Sequence, residues 1–198
     1  MQPHRCCHTL QGFEEAKVKD LSYEKLQQIV KGGLTALVYG GSALERIEYL
    51  MEVAKLALKE GSFALYFSIY EGSTFLIVDV ASRKGLENLL DKIYVAILPL
   101  DVAKLGKVIE ALRDLLNEEK LTLIVYDQVF TAIYYTSLGD PEVKSRLNTL
   151  LSMVKALSRK HGFCTLLLDR AKVDGSPRTP RFILRYVDES VSLRSVNV

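Results

Sequence analysis

The chain has 198 residues, a length that suits one domain or at most two small ones. Hydrophobic residues make up 48% and charged residues 25% of the sequence, which excludes a disordered, collagen-like or mucin-like chain. Lysine and arginine total 26 against 24 aspartates and glutamates, so the net charge is only +2. This balance excludes a strongly basic nucleic-acid coat protein but not a local basic patch.

Hydrophobic spacing, capping residues and glycine turns divide the chain into alternating helices and strands. In chain order, the first predicted elements are a helix at 23–30, a strand at 34–39, a helix at 43–59, strands at 63–69 and 75–80, a helix at 84–90 and a strand at 93–98. They are followed by a helix that Asp101 caps and that runs to about 116, a strand at 121–126, a helix at 141–161, a strand at 163–168, and a closing strand pair at 182–186 and 190–196.

This alternation predicts an α/β fold. Several strands are apolar on both faces, as expected when helices cover both sides of a parallel sheet. We therefore predict a doubly wound three-layer fold with a mostly parallel central sheet. The closing strand pair would form an antiparallel end of that sheet, which is an alternative to a fully parallel one. Residues 1–20 are predicted to be a tail or linker, and residues 21–198 a single core domain.

The amino terminus and the cysteine pattern predict a cytoplasmic protein. The first eight residues contain no apolar run behind a basic residue, so no signal peptide is predicted. Cys6, Cys7 and Cys164 are odd in number and two are adjacent, unlike the even, spaced set of a secreted disulfide scaffold. The most apolar long stretch, residues 121–138, carries Asp127 in its middle, which disfavours a membrane span. No membrane partner is therefore expected.

A metal site is not expected either. His4, Cys6, Cys7 and His8 have side chains that bind metals, but neighbouring cysteines cannot easily share one tetrahedral site. The sequence also lacks a distant second pair of ligands.

The turn after the first strand has the position of a phosphate-binding loop, because ligands of such sheets lie beyond the carboxyl ends of the strands. The turn consists of Gly40, Gly41 and Ser42. A P-loop would continue with glycine, lysine and a serine or threonine, but those positions hold Glu45, Arg46 and Ile47. Arg46 still offers a positive charge to a phosphate, whereas Ile47 has no hydroxyl for magnesium. The sequence is compatible with two interpretations of these residues: a tight turn without a ligand, or a nucleotide-binding loop.

Two carboxylates follow other strands. Asp127 ends an apolar strand, which is the pattern of the magnesium-binding Walker B aspartate. Because Ile47 lacks the hydroxyl, we expect Asp127 to accept local hydrogen bonds instead. Glu71 follows the second strand, where a carboxylate can orient water for hydrolysis, with a solvated loop residue as the alternative. We predict no catalytic residue: Glu71 and Asp127 are vestigial candidates, and neither ATP nor magnesium is expected as a cofactor.

A basic segment follows the strand at 163–168. The candidates for DNA contact are Arg170, Lys172, Arg178 and Arg181. Asp169 and Asp174 dilute this charge, and no aromatic residue is interleaved before Phe182, so the sequence gives no signal for base stacking. Both a DNA contact and a plain solvated loop stay open.

The order of these elements resembles the RecA-like ATPase core of the archaeal RadA and RadB recombinases. The resemblance covers about residues 26–196, and it includes a segment entering the first strand (26–33), a Walker A region (34–46), a second strand with the catalytic Glu-Gly pair (64–72), the strand before the long helix (92–96) and the Walker B strand (121–127). It implies a RecA-like fold.

Departures from the motifs of that family imply a member without ATPase activity. Leu168, Asp169 and Arg170 replace the Thr-Asn-Gln triplet that senses phosphate, in addition to the lost Walker A lysine and hydroxyl. The resemblance implies a catalytically silent paralogue that assists recombination or DNA repair through a partner such as a recombinase. A nucleotide-binding protein or weak ATPase that uses Arg46 in place of the lysine is the alternative. A homodimer also stays open, and residues 172–181 lie where the family has its second DNA-contacting loop.

Phe13 and Ala16 resemble the Phe-x-x-Ala motif by which these recombinases dock on their neighbours. In that role Phe13 would be an anchor in an apolar pocket of a partner. The alternative is an amphipathic turn that packs Phe13 on the core of its own chain.

Overall fold

The structure is a computed structural model that describes residues 23–118 and 120–193, leaving aside the side chains of 23–25, 117 and 118. The predicted tail at 1–20 lies outside the described residues, as do His4, Cys6, Cys7, His8, Phe13 and Ala16. The predicted division into a tail and one core domain therefore stays a prediction.

A parallel β-sheet forms the centre of the fold. Its described strands are β1 (Thr35–Gly40), β2 (Phe63–Ser68), β3 (Ile93–Ile97), β4 (Leu121–Asp127), β5 (Cys164–Asp169) and β6 (Glu189–Leu193). They lie in the order β3-β2-β4-β5-β1-β6, and each neighbouring pair is parallel. With helices on both faces, this sheet confirms the predicted three-layer α/β class.

Helices cover both faces of the sheet. They are α1 (Tyr23–Lys31), α2 (Ala43–Ala57), α3 (Ser73–Lys84), α4 (Val102–Glu118), α5 (Val129–Thr136), α6 (Pro141–His161) and α7 (Arg181–Leu184), with a 3-10 helix at Glu87–Lys92. Buried residues of α1, α2 and α3 share one apolar cluster, and those of α4, α5, α6 and α7 share a second. Within the part of the chain that the structure describes, no helix has the length and hydrophobicity needed to cross a membrane.

Alternation along each strand divides its side chains between these two clusters. In β1, Ala36 and Val38 pack with α2, whereas Leu37 packs in the second cluster. All three are fully buried. Because both faces of the strand are covered, its sequence is a continuous apolar run and not an alternating one. This double burial explains why the central strands could be predicted from the sequence.

The predicted strand at 75–80 is wrong, because this segment belongs to α3. Its β-branched and aromatic residues favour a strand locally. However, β2 and β3 are parallel neighbours, and a parallel connection has to cross back over the sheet, usually as a helix. Ile77, Val80 and Ala81 form the buried face at helical spacing, and Phe75 and Val78 remain exposed.

The predicted closing strand pair is also wrong. The segment at 182–186 begins in the short helix α7 and continues as a turn, and β6 pairs with β1 in the parallel sense, so the sheet has no antiparallel end within the described residues. A parallel edge strand requires a crossover, which α7 supplies. Two smaller differences are the 3-10 helix at Glu87–Lys92, where a helix at 84–90 was predicted, and α5, for which no element was predicted.

Asp188 holds the edge strand β6 against β1 and α6. Its carboxylate accepts hydrogen bonds from the Thr35 amide at 3.0 Å and from the Lys155 ammonium at 2.7 Å, and Arg159 Nη2 lies 3.4 Å away. Burial raises the pKa of this carboxyl, but the contacts with Lys155, Thr35 and Arg159 outweigh burial, so the net pKa lies below its ordinary value.

Replacing Asp188 with asparagine should lower the free energy of unfolding at pH 7 by about 1–3 kcal/mol, because hydrogen bonds to a charged group are lost. A carboxyl whose folded-state pKa is depressed contributes stability above the unfolded-state pKa of about 3.9 and loses it as pH falls through the folded-state pKa. Urea denaturation at pH 7 and at lower pH should therefore show the difference between wild type and Asp188→Asn shrinking on acidification. A difference that grows on acidification would contradict this assignment.

Candidate functional site

The carboxyl ends of four strands meet at one edge of the sheet. In register, Ser68 of β2 pairs with Asp127 of β4, and Gly40 of β1 lies one residue beyond Tyr39, the partner of Asp169 in β5. The loops that follow these strands therefore converge there, as expected for a doubly wound sheet. This edge holds most of the site residues predicted from the sequence.

The turn after β1 is short and closed by its own capping residues. Only Gly41 and Ser42 separate the end of β1 from the start of α2. The Glu45 amide donates to Ser42 Oγ at 3.2 Å, and the Ser42 amide donates to Glu45 Oε2 at 2.5 Å, which is a complete capping box. The Glu45 carboxylate thus takes up an amide that a phosphate-binding loop would offer to an anion.

Arg46 folds back onto the same turn. Its Nη1 donates to the carbonyl oxygens of Gly40 at 3.1 Å and Gly41 at 3.0 Å, and the residue is only 4% exposed. Nη1 of the guanidinium is therefore hydrogen-bonded to backbone acceptors of the turn. Ile47, at the position of the magnesium-binding hydroxyl, is buried in the apolar core.

These contacts fit a phosphate poorly. A phosphate-binding loop needs free backbone amides and an available positive charge, and it excludes a nearby carboxylate. Here the Ser42 and Glu45 amides and the Arg46 guanidinium are engaged within the turn, and the Glu45 carboxylate lies among them.

Close packing against β6 explains why residue 40 is a glycine. Gly40 has φ +84°, and a Cβ on it would lie 2.5 Å from the Leu193 carbonyl oxygen of β6. Glycine is thus required by the approach of the neighbouring strand, without any ligand.

Asp127 ends β4 in a buried polar cluster. Its carboxylate accepts hydrogen bonds from the Tyr66 hydroxyl at 2.7 Å and from Gln128 Nε2 at 3.2 Å, and the residue is 7% exposed. Burial raises the pKa of this carboxyl above its ordinary value, and the two hydrogen bonds, together with the nearby Arg46 charge, offset only part of that rise. The geometry supports a structural role in which Asp127 joins β4 to β2.

Asp169 fixes the start of the basic loop. Its Oδ2 accepts hydrogen bonds from the Thr131 hydroxyl at 2.6 Å and the Thr179 hydroxyl at 2.5 Å, and its Oδ1 accepts from the Arg170 amide at 2.8 Å. These contacts tie both ends of the loop to α5. Between them, residues 170–178 form a small hairpin in which the Arg178 amide donates to the Arg170 carbonyl at 2.9 Å.

The structure places an exposed tyrosine beside each of two predicted DNA-contacting arginines. The Arg170 guanidinium lies 5.9 Å from the centre of the Tyr70 ring, and that of Arg178 lies 5.3 Å from the centre of the Tyr135 ring. Tyr70, Tyr135 and Arg178 line an open groove of about 390 Å³. No sequence motif predicts this arrangement, because Tyr70 lies in the turn after β2 and Tyr135 lies in α5, both far upstream of the arginines.

The remaining predicted residues are more scattered. Glu71 is exposed in the turn after β2, Lys172 is exposed on the hairpin, and Arg181 is exposed at the start of α7. None of these three makes a hydrogen bond or ion pair through its side chain within the described residues. Among those residues there is also no group of three or more histidines, cysteines, aspartates and glutamates that could hold a metal ion.

Neither a protein-family model nor a curated protein matches the chain. The resemblance to RadA and RadB therefore rests on the residues and their order alone.

Gly40→Ala should destabilise the protein more than Gly61→Ala. Both glycines have positive φ, which costs an alanine about 1–2 kcal/mol, but a Cβ at Gly61 meets nothing within 4 Å. The contact with Leu193 should add at least about 1 kcal/mol at Gly40. Chemical denaturation of both variants without nucleotide measures this difference, and equal losses would contradict the packing explanation.

The free energy of unfolding of Asp127→Asn should rise relative to that of wild type as pH increases from 4 to 7. A carboxyl whose folded-state pKa is raised destabilises the fold increasingly once pH passes its unfolded-state pKa, and an amide has no such dependence. Urea denaturation of both proteins at several pH values in this range measures the effect. If the variant instead becomes less stable relative to wild type as pH rises, the fold stabilises the Asp127 carboxylate as an anion, and the prediction is wrong.

Proposed function

We propose that this chain is a catalytically silent RecA-like protein that assists recombination or DNA repair through a protein partner and through contact with DNA. Its support begins with the fold, because the parallel six-stranded sheet and flanking helices of the described residues are consistent with the RecA-like arrangement. The order of the motif-like segments along the chain adds the resemblance to the archaeal RadA and RadB group.

The observation that carries catalytic silence is the closed turn after β1. Arg46 donates to two carbonyls of the turn, and Glu45 occupies the amide of Ser42. The alternative, a nucleotide-binding protein or weak ATPase that uses Arg46, requires Arg46 Nη1 to leave the two carbonyls of the turn before it can contact a phosphate. Leaving the buried Gly40 carbonyl without its donor would cost about 1–3 kcal/mol.

The partner in this proposal is a recombinase or another recombination or repair protein, and a second copy of the chain is the alternative. Contact with DNA is assigned to the basic hairpin. Arg170, Lys172 and Arg178 are exposed there, close to the carboxyl edge of the sheet. Exposed lysines and arginines on a loop provide the phosphate contacts that most nucleic-acid binding needs.

Calorimetric titration with ATP or ADP and magnesium should show no saturable binding at millimolar nucleotide. The melting temperature should not change either. By contrast, a real site with nucleotide at about 100 times its dissociation constant would add about 2.7 kcal/mol to the free energy of unfolding. Arg46→Ala should lower the stability of the protein, because two carbonyls lose their donor, with no effect on the nucleotide titration.

Arg146→Ala is the matched control, since Arg146 is an exposed arginine on α6 that, within the part of the chain that the structure describes, pairs only with Glu142. Saturable binding in wild type that Arg46→Ala abolishes and Arg146→Ala retains would overturn catalytic silence in favour of the nucleotide-binding alternative. The accessory role is tested by adding the chain to strand exchange by the RecA-like recombinase of its source. An increased rate or yield supports that role, and no change contradicts it.

A further inference from the structure

Helix α3 exposes a row of side chains that contains two large apolar residues. The buried residues of the helix, which face the sheet, are Ser73, Ile77, Val80 and Ala81. Phe75, Val78 and Ser82 lie away from this face at positions i, i+3 and i+7, a spacing that aligns side chains along a helix. Phe75 is 80% exposed and Val78 is 45% exposed, although phenylalanine and valine are among the residues most often buried. These three residues are called the α3 stripe here.

The α3 stripe lies at the end of a helix layer, where a partner can reach it. Helix α3 connects β2 to β3, and β3 is the edge strand of the sheet within the described residues. On one flank α3 is joined to α2, because Arg83 Nη1 lies 3.9 Å from Glu48 Oε1 and Lys84 Nζ lies 3.3 Å from Glu52 Oε1. Since most of the Phe75 side chain already lies in solvent, a partner can contact it without any rearrangement of the fold.

The α3 stripe is self-complementary in size. Suppose that two copies of α3 pack antiparallel about a two-fold axis that passes beside Val78. Phe75 of one copy then faces Ser82 of the other, so that a large side chain meets a small one on each side of the axis, and the two Val78 side chains meet at the axis. A helix of 12 residues is about 18 Å long, which accommodates all three contacts.

The charges along α3 favour the antiparallel arrangement. Glu71 precedes the amino end of α3, and its exposed side chain makes no hydrogen bond or ion pair within the described residues. Arg83 and Lys84 lie in the last turn. Antiparallel packing brings Glu71 of each copy towards Lys84 of the other, whereas parallel packing would bring the two basic ends together. Lys84 retains donors for this contact, because an ammonium has three and its pair with Glu52 is a single exposed contact.

We propose that the chain forms a weak symmetric dimer in which the α3 stripe packs antiparallel on the same stripe of a second copy. This inference goes beyond the proposed function and does not depend on a role in recombination or on contact with DNA. The same residues of both copies form the contact, so it closes as a dimer and does not continue as a filament. One helix pair buries less area than the roughly 1,600 Å² of a standard interface, so we expect a dissociation constant of about 1 µM to 1 mM.

The test is sedimentation velocity of the full chain at concentrations from about 1 µM to 1 mM. Wild type should change from monomer to dimer as the concentration rises. Phe75→Glu and Val78→Glu should each raise the dissociation constant by about 30-fold or more, the loss typical of a central interface side chain. Leu138→Glu is the control, because Leu138 is 94% exposed and lies outside α3, and it should leave the dimer unchanged.

Disulfide cross-linking under mild oxidation tests the orientation of the two helices. The variants are made in a chain in which Cys6 and Cys7 are replaced by serine. Val78→Cys should form a disulfide between two copies, because the axis passes beside this residue. Phe75→Cys and Ser82→Cys should cross-link when they are mixed, and neither should cross-link alone.

Three results would overturn the proposal. The first is a monomer at every concentration, which would mean that the α3 stripe is covered by another part of the chain or by another protein, or stays exposed. The second is a dimer that Phe75→Glu and Val78→Glu leave intact; if Phe13→Ala dissociates that dimer, the contact is a head-to-tail one through the Phe-x-x-Ala segment. The third is cross-linking of Phe75→Cys alone, which would contradict antiparallel packing. None of these results affects the proposed function, which the nucleotide titration and strand exchange test separately.

Discussion

Parallel pairing of neighbouring strands is the constraint on which the rest of this structure depends. A parallel connection has to cross back over the sheet, and each connection between the described strands contains a helix. The crossings bring the carboxyl ends of β1, β2, β4 and β5 to one edge. Arg46, Asp127 and Asp169 lie close to that edge, and each is buried with hydrogen-bond partners from neighbouring loops or strands.

Residue types that bind nucleotides in related folds serve internal contacts in this chain. A buried charge costs several kcal/mol unless it is paired or hydrogen-bonded, and here each group is hydrogen-bonded within the protein, although these bonds offset only part of the cost of burying the Asp127 carboxylate. Arg46 uses backbone carbonyls, Asp127 uses Tyr66 and Gln128, and Asp169 uses two threonine hydroxyls. The groups that remain available to a ligand lie further out, on Tyr70, Tyr135 and the basic hairpin.

The sequence predicts the central strands and most helices because their apolar runs and caps are local signals. Asp101, for example, caps α4 as expected. At α3 the sequence predicts a strand, because β-branched and aromatic residues favour one locally, whereas the parallel pairing of β2 and β3 requires a helix. At α5 it predicts no element. The inward turn of Arg46 depends on a loop two residues long, and the groove lined by Tyr70 and Tyr135 joins segments distant in sequence. Neither follows from a motif, since both depend on tertiary contacts.

The proposed catalytic silence depends on the turn after β1, where Glu45 and Arg46 occupy backbone groups of the turn. Backbone amide NMR is the most direct test, with ATP and magnesium titrated into the isotopically labelled protein. We expect the amide signals of Gly41, Ser42 and Glu45 to stay in place at millimolar nucleotide. Saturable shifts confined to residues 40–46 would contradict it, because they would show that the capping box and the arginine contacts open to admit a nucleotide.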